Sequence, residues 1–136
     1  MSRTETFSKY GKSFQEGLVN LILNDRPFAD QITEVLDINF LELEYLRVFT
    51  SKIINYRKKY SKHPSCEAMI VMLRTELDHE NEVVQTQVKD YFGRIHNKEV
   101  QDVEYIKEQS LDFCRKQNLK EAMMKSVNLL QTCSFD

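Results

Sequence analysis

A chain of 136 residues, 41% of them hydrophobic, can bury about two-thirds of its unfolded surface in one domain and requires no disulfide or metal to hold its core. Its 19 basic and 21 acidic residues give a formal net charge of −2, which argues mildly against a general nucleic-acid binder. Three widely spaced cysteines without a Cys-x-x-Cys pair favour a reducing cytosol over a secreted disulfide framework, and no apolar run approaches the length of a membrane span.

The segment Gly11-Lys12-Ser13 matches the end of a phosphate-binding P-loop, but Thr6 stands where the first glycine of that loop is required. A helix start fits better, because Ser13 and Glu16 have the capping-box spacing, in which each side chain bonds the backbone N–H of the other residue. The sequence therefore predicts an N-terminal arm over residues 1–12 and a first helix that begins at Ser13.

Helical spacing of apolar residues, together with only three glycines and two prolines, predicts an all-α fold. Pro27 is placed for the first turn of a second helix, a longer third helix is predicted over residues 42–60, and Ser65 caps a fourth. These elements form a predicted small helical head, residues 13–78.

A charged joint at residues 78–81 separates this head from two further helices, predicted over residues 82–97 and from residue 103 to about residue 132. The polar link between them is short, which favours an antiparallel pair. We therefore expect an antiparallel helical hairpin over residues 81–134, within one domain overall.

The last predicted helix carries two apolar stripes. At roughly 100° per residue, Val103, Ile106 and Phe113 share one face, and the second stripe is displaced from it by roughly 120–140°. The second stripe consists of Leu119, Met123, Val127 and Leu130. Either the two halves of the helix meet different partners, or the helix wraps an irregular single-domain core.

One run of charge stands out at the end of the third predicted helix, where basic residues alternate with tyrosines. The basic residues considered as nucleic-acid contacts are Arg57, Lys58, Lys59 and Lys62. Such a run can grip a phosphate backbone and stack on bases. Cations in the last turn of a helix also complement its dipole, and this second interpretation stays open.

No set of side chains in the sequence resembles a catalytic site. His63 and Cys66 have a spacing that suits a metal, but no second pair of ligands follows to close a tetrahedral site. We therefore expect no enzyme activity, no metal and no cofactor in this chain.

The order of the segments resembles the N-terminal domain of DnaB-type replicative DNA helicases, closest to the phage-type branch, over residues 10–135. The matching features are an FQ-led first helix, the turn NDRPF, the VLD-x-x-F break, and a long helix with LRVFTSKIINYRKKY. The last helix matches through its FC-x-x-Q-x-L-x-x-A core.

This resemblance implies a non-catalytic collar domain of a hexameric ring, in which hairpins pair subunits and the collar receives primase and a helicase loader. ATP and Mg²⁺ would bind only in a separate C-terminal motor domain, which this chain lacks and which would make most of the DNA contacts. The resemblance places the protein in the cytoplasm of a bacterial cell or of a phage-infected host.

The predicted self-association or partner interface lies on the hairpin. Its residues are Ile95, Val103, Ile106 and Phe113 near the tip, with Leu119, Met123, Val127 and Leu130 nearer the base. Two alternatives remain: a stand-alone, helicase-derived adaptor or decoy that regulates replication, and a helical module that binds single-stranded nucleic acid.

Overall fold

The computed structural model describes residues 5–95 and 98–133, and within these residues the chain forms six α-helices and no strand. The all-α prediction is confirmed. None of the helices in this part of the chain combines the length and the apolar character needed to cross a membrane. The helices are α1 (Gly11–Asn24), α2 (Arg26–Ile32), α3 (Glu44–Tyr60), α4 (Cys66–Thr75), α5 (Glu82–Ile95) and α6 (Val103–Cys133).

Short polar side chains cap the N-terminal ends of several of these helices. The backbone N–H of Phe28 donates to the Asp25 carboxylate (3.1 Å) at the start of α2, and Pro27 lies in the first turn. The predicted Ser65 cap of α4 is confirmed, since its hydroxyl accepts from the N–H of Ala68 (3.1 Å). Each cap satisfies a backbone donor that the helix itself leaves unpaired.

The prediction that α1 begins at a Ser13 capping box is wrong. The helix begins at Gly11, directly after a short 3-10 helix over Phe7–Tyr10, and Gly11 has the positive φ of 85° that glycine adopts readily. Ser13 therefore lies inside the first turn. The Glu16 side chain bonds residues of other helices, because stronger partners than the local N–H are within its reach.

The N-terminal segment packs into the core. Phe7, in the predicted arm, is fully buried, and residues 1–4 of that arm lie outside the described residues. Buried Gln15 holds the segment, because its amide donates to the carbonyls of Phe7 and Gly11 (both 3.2 Å) while its oxygen accepts from the N–H of Glu42 (2.8 Å). Residues 5–10 are thus part of the folded body.

Helix α1 is the centre of the packing. It contacts α2, α3 and α6, while α5 packs mainly on α3. The predicted antiparallel pairing of α5 with α6 is not confirmed, since α6 has its principal contacts with α1 and α2. The predicted helix end at Asn97 and the hairpin end at residue 134 lie outside the described residues.

A charged and aromatic cluster ties α1 to α3 and α5. The Glu16 carboxylate accepts from the Tyr45 hydroxyl (2.6 Å) and from both terminal nitrogens of Arg94 (2.9 and 3.1 Å). The Tyr91 hydroxyl donates to the backbone carbonyl of Glu16 (2.5 Å). Burial raises the pKa of Glu16, but the hydrogen bonds from Arg94 and Tyr45 outweigh burial and hold that pKa below its usual value.

Glu16→Gln should lower the free energy of unfolding by about 1.5–3 kcal/mol at pH 7, because it removes the charge from these hydrogen bonds. Since the folded-state pKa is lowered, the contribution of Glu16 is present above the unfolded value of about 4.3 and is lost as the pH falls through the lowered value. Urea unfolding at pH 7 and at pH 3 checks this. A penalty of equal size at both pH values would contradict it.

Thr50 offers a second test, because its buried hydroxyl has no hydrogen-bond partner among the residues that the structure describes. Thr50→Val should leave stability unchanged or raise it by up to about 1 kcal/mol, since it removes an unpaired buried polar atom. The matched control is Thr33→Val, which loses a hydroxyl bond to the Ala29 carbonyl (2.7 Å) and should be destabilising. Thermal melts compare the two, and a larger loss at Thr50 would contradict the expectation.

Candidate functional site

The first half of α6 is anchored in the core by Phe113. Its ring lies 4.3 Å, centroid to centroid, from the ring of Phe7, 5.5 Å from Phe40 and 5.8 Å from Tyr10. Phe113 is 7% exposed, and Ile106 and Cys114 on the same side of the helix are also buried. Burial raises the pKa of the Cys114 thiol to about 12. This half of α6 is therefore part of the domain interior.

Polar contacts fix the point at which α6 leaves the body. The Glu5 carboxylate accepts from Gln117 (3.3 Å) and from the ammonium group of Lys120 (3.2 Å), and the Asn118 amide donates to the Val35 carbonyl (3.0 Å). The Lys120 contact holds the pKa of Glu5 below its usual value. From Asn118 to Thr132 every residue is exposed. This segment is about 22 Å long at 1.5 Å per residue.

The exposed half of α6 carries a stripe of large apolar side chains. We call Leu119, Met123, Val127 and Leu130 the α6 stripe; these side chains are 47–71% exposed. At roughly 100° per residue they lie within about 80° of one another around the helix axis, displaced by about 130° from the buried face. Met124 and Leu129 add further exposed apolar surface beside the stripe.

The sequence explains why α6 stops packing on the core. Of the positions that continue its buried face beyond Gln117, Glu121 and Asn128 have side chains that favour water, and Met124 is apolar but 48% exposed. Most of the large apolar residues of this half lie on a different side of the helix. This face therefore offers little apolar surface to bury against α1 and α2, and the stripe is left without a partner inside the described part of the chain.

The structure separates the two groups of predicted interface residues. Ile95, Ile106 and Phe113 are buried in the core of the chain itself, and Val103 is half-buried, so these residues do not form an open surface. The predicted role of this first group as a contact with a second subunit is not supported by its placement. The second group, the α6 stripe, is exposed along its whole length, and its interface role stays a prediction.

The predicted basic residues at the end of α3 also fall into two groups, one with partners inside the chain and one that is exposed. Arg57 is held inside the chain by an ion pair with Asp30 and a contact to His63 Nδ1 (2.8 Å). Lys58, Lys59 and Lys62 are exposed. His63 also bonds the Leu23 carbonyl through Nε2 (2.7 Å), so both ring nitrogens already have protein partners. No cluster of three or more metal-ligating side chains exists within residues 5–95 and 98–133.

A cleft of about 470 Å³, which no motif in the sequence indicates, lies beside the Glu16 cluster. Its walls come from α1, from the end of α5 with Arg94, from the segment 98–102 and from the start of α6 with Tyr105. Glu16 and Arg94 lie 78 residues apart in the chain, so no local sequence pattern predicts that they are in contact. Glu16 and Arg94 are paired with each other, so neither charge is left free to bind a ligand in the cleft.

Comparisons with protein-family models, with curated proteins and with solved structures found no match for this chain. What the chain binds must therefore be inferred from its own residues and their arrangement. Monomeric proteins rarely leave a contiguous row of large apolar side chains in water, and such rows commonly mark interaction sites. The α6 stripe is therefore the leading candidate site.

The different environments of the two halves of α6 can be measured. Phe113→Ala should lower the free energy of unfolding by about 3–5 kcal/mol, because it leaves a cavity among packed rings. Leu130→Ala removes a side chain that is 71% exposed and should change the stability of the monomer by less than about 0.5 kcal/mol. Urea titrations at low protein concentration compare the two variants. Equal losses would contradict the assignment of the two halves.

Proposed function

We propose that this chain is a non-catalytic oligomerisation and partner-docking domain, and that it forms the collar of a DnaB-type replicative DNA helicase. The α6 stripe is the contact surface in this proposal. The partners are other copies of the chain, in a dimer or hexameric collar, together with primase and a helicase loader. The proposed location is the cytoplasm.

The single observation that carries the oligomerisation role is the exposed α6 stripe. Full burial of one large aliphatic side chain is worth about 1.5–3 kcal/mol, so covering four of them against another helix provides a substantial driving force. The stripe lies on an exposed helical segment about 22 Å long, which leaves room for a second helix alongside it.

The finer assignment, to a helicase collar, is supported by the sequence pattern. The NDRPF turn, the VLD-x-x-F break and the FC-x-x-Q-x-L-x-x-A core occur in the order typical of that family. In the proposed assembly, ATP hydrolysis and DNA unwinding are carried out by a C-terminal motor domain. The present chain supports them by holding subunits together and by receiving primase and the loader.

Self-association of the chain is the first test, measured as solution mass by light scattering over a wide concentration range. We expect a dimer or a larger ring that grows with concentration. Met123→Asp and Leu130→Asp should each shift the equilibrium towards monomer by at least about tenfold, because each places a charge in a buried apolar contact.

The matched control is Asn128→Asp, which adds the same charge on the opposite side of the same helix. This variant should associate as the unmodified chain does. Circular dichroism of all three variants confirms that the domain remains folded. A chain that is monomeric at every concentration, or an Asn128→Asp variant that dissociates equally, would contradict a self-association surface on the stripe.

A further inference from the structure

A group of unneutralised cations surrounds the C-terminal end of α3. Arg26, Lys58, Lys59 and Lys62 are exposed, and none of the four forms an ion pair within the described residues. Lys52, Arg94 and Lys107, by contrast, are paired with carboxylates. The four positive charges exceed the negative end of the α3 dipole, which amounts to about half a charge.

A polar recess opens among these residues. It has a volume of about 220 Å³, compared with about 30 Å³ for one water molecule in the liquid, and it is lined by Arg26, Asp30, Arg57, Ser61, Lys62 and His63. The chain turns sharply here, because Ser61 ends α3 in the left-handed conformation (φ 56°). The recess has room for a phosphate group beside Arg26 and Lys62.

Arg57 and His63 shape this recess. The Leu23 carbonyl can only accept a hydrogen bond, so Nε2 of His63 carries the proton and Nδ1 accepts from Arg57. Arg57 also neutralises Asp30, the one carboxylate in the lining. Arg57 is therefore a positioning residue, and the exposed cations are left for an external anion.

An aromatic surface adjoins the cations. Tyr60 is 52% exposed, and its ring packs against Tyr56 with the centroids 4.6 Å apart. The Lys59 ammonium group lies 5.4 Å from the Tyr60 ring centroid. A tyrosine that is supported by a second ring and still half-exposed presents a surface on which a flat base can stack.

We propose that the end of α3 binds single-stranded nucleic acid, with a phosphate group between Arg26 and Lys62, further backbone contacts to Lys58 and Lys59, and a base stacked on Tyr60. This site lies on a different helix from the α6 stripe and goes beyond the proposed oligomerisation role. A single strand fits better than a duplex, because only its bases are accessible for stacking on a side chain.

The test measures binding of the full chain to a fluorescently labelled oligothymidylate of about 12 nucleotides by anisotropy, over a series of salt concentrations. Affinity should fall linearly with salt on logarithmic axes. Combined Lys58→Ala, Lys59→Ala and Lys62→Ala substitutions should weaken binding at low salt and reduce the slope by about 2, at about 0.7 per lost phosphate contact.

The matched control replaces three exposed lysines elsewhere, Lys12, Lys89 and Lys125, by alanine. The total charge then changes by the same amount, and affinity should stay within about twofold of the unmodified chain. Equal losses in the two triple variants would overturn the site, because binding would then follow net charge alone. Absence of binding at low salt would also overturn it.

Tyr60 distinguishes a nucleic-acid site from a simple anion site. Tyr60→Ala should weaken binding about tenfold, whereas Tyr60→Phe should retain it, because phenylalanine keeps the ring. Unlabelled duplex of the same length, and inorganic phosphate at equal phosphate concentration, should compete far less well than the single strand. Equal competition by either one, or an unchanged affinity in Tyr60→Ala, would overturn the proposal.

Met123→Asp separates this inference from the proposed oligomerisation. Helix α6 packs mainly on α1 and α2 and not on α3, so binding of the oligonucleotide at low protein concentration should stay within about twofold. Loss of self-association with retained binding supports two independent sites. Loss of oligonucleotide binding in Met123→Asp would overturn the assignment to α3.

Discussion

The packing of the Phe113 ring against Phe7 and Phe40 is the contact on which the arrangement of the long helix depends. It fixes which side of α6 faces the body. Because a helix turns about 100° per residue, fixing one face also fixes the direction of every later side chain. The α6 stripe, displaced by about 130°, is therefore directed away from α1 and α2. The same contact that stabilises the domain leaves the stripe uncovered.

The charged cluster around Glu16 fixes α1 against two further helices. Through Arg94 and Tyr45 it joins α1 to α5 and α3, and the hydrogen bonds to an ionised carboxylate are among the stronger polar contacts in a folded chain. Helix α1 is thus held by apolar packing against α6 and by charge-assisted bonds towards α5. These contacts explain how α2, α3, α5 and the first half of α6 are held around one central helix.

Structure that depends on residues close together in the chain could be predicted from the sequence. Contacts between residues far apart in the chain, which compete with the local ones, could not. The Ser65 cap was predicted correctly because its partner lies three residues away. The Ser13 capping box failed because Arg94, 78 residues from Glu16, binds that carboxylate in the structure. The two apolar stripes of α6 follow from helical geometry alone, but their neighbours do not, and so the predicted pairing of α5 with α6 was not confirmed. The lysines of the candidate α3 site were visible as a run, whereas Arg26 joins them only through the fold.

Assembly through the α6 stripe would change how tightly the proposed sites at the end of α3 bind a single strand. With a net charge of −2, a single copy attracts nucleic acid only through its local cations, so each contact at the end of α3 is expected to be weak. Copies joined through the α6 stripe would present several such sites to one strand. Binding at the second site then becomes intramolecular, and the combined affinity can exceed that of one site by about 10²–10⁴ when the geometry allows simultaneous contact. Weak sites on an assembling domain would therefore favour long single strands over short ones.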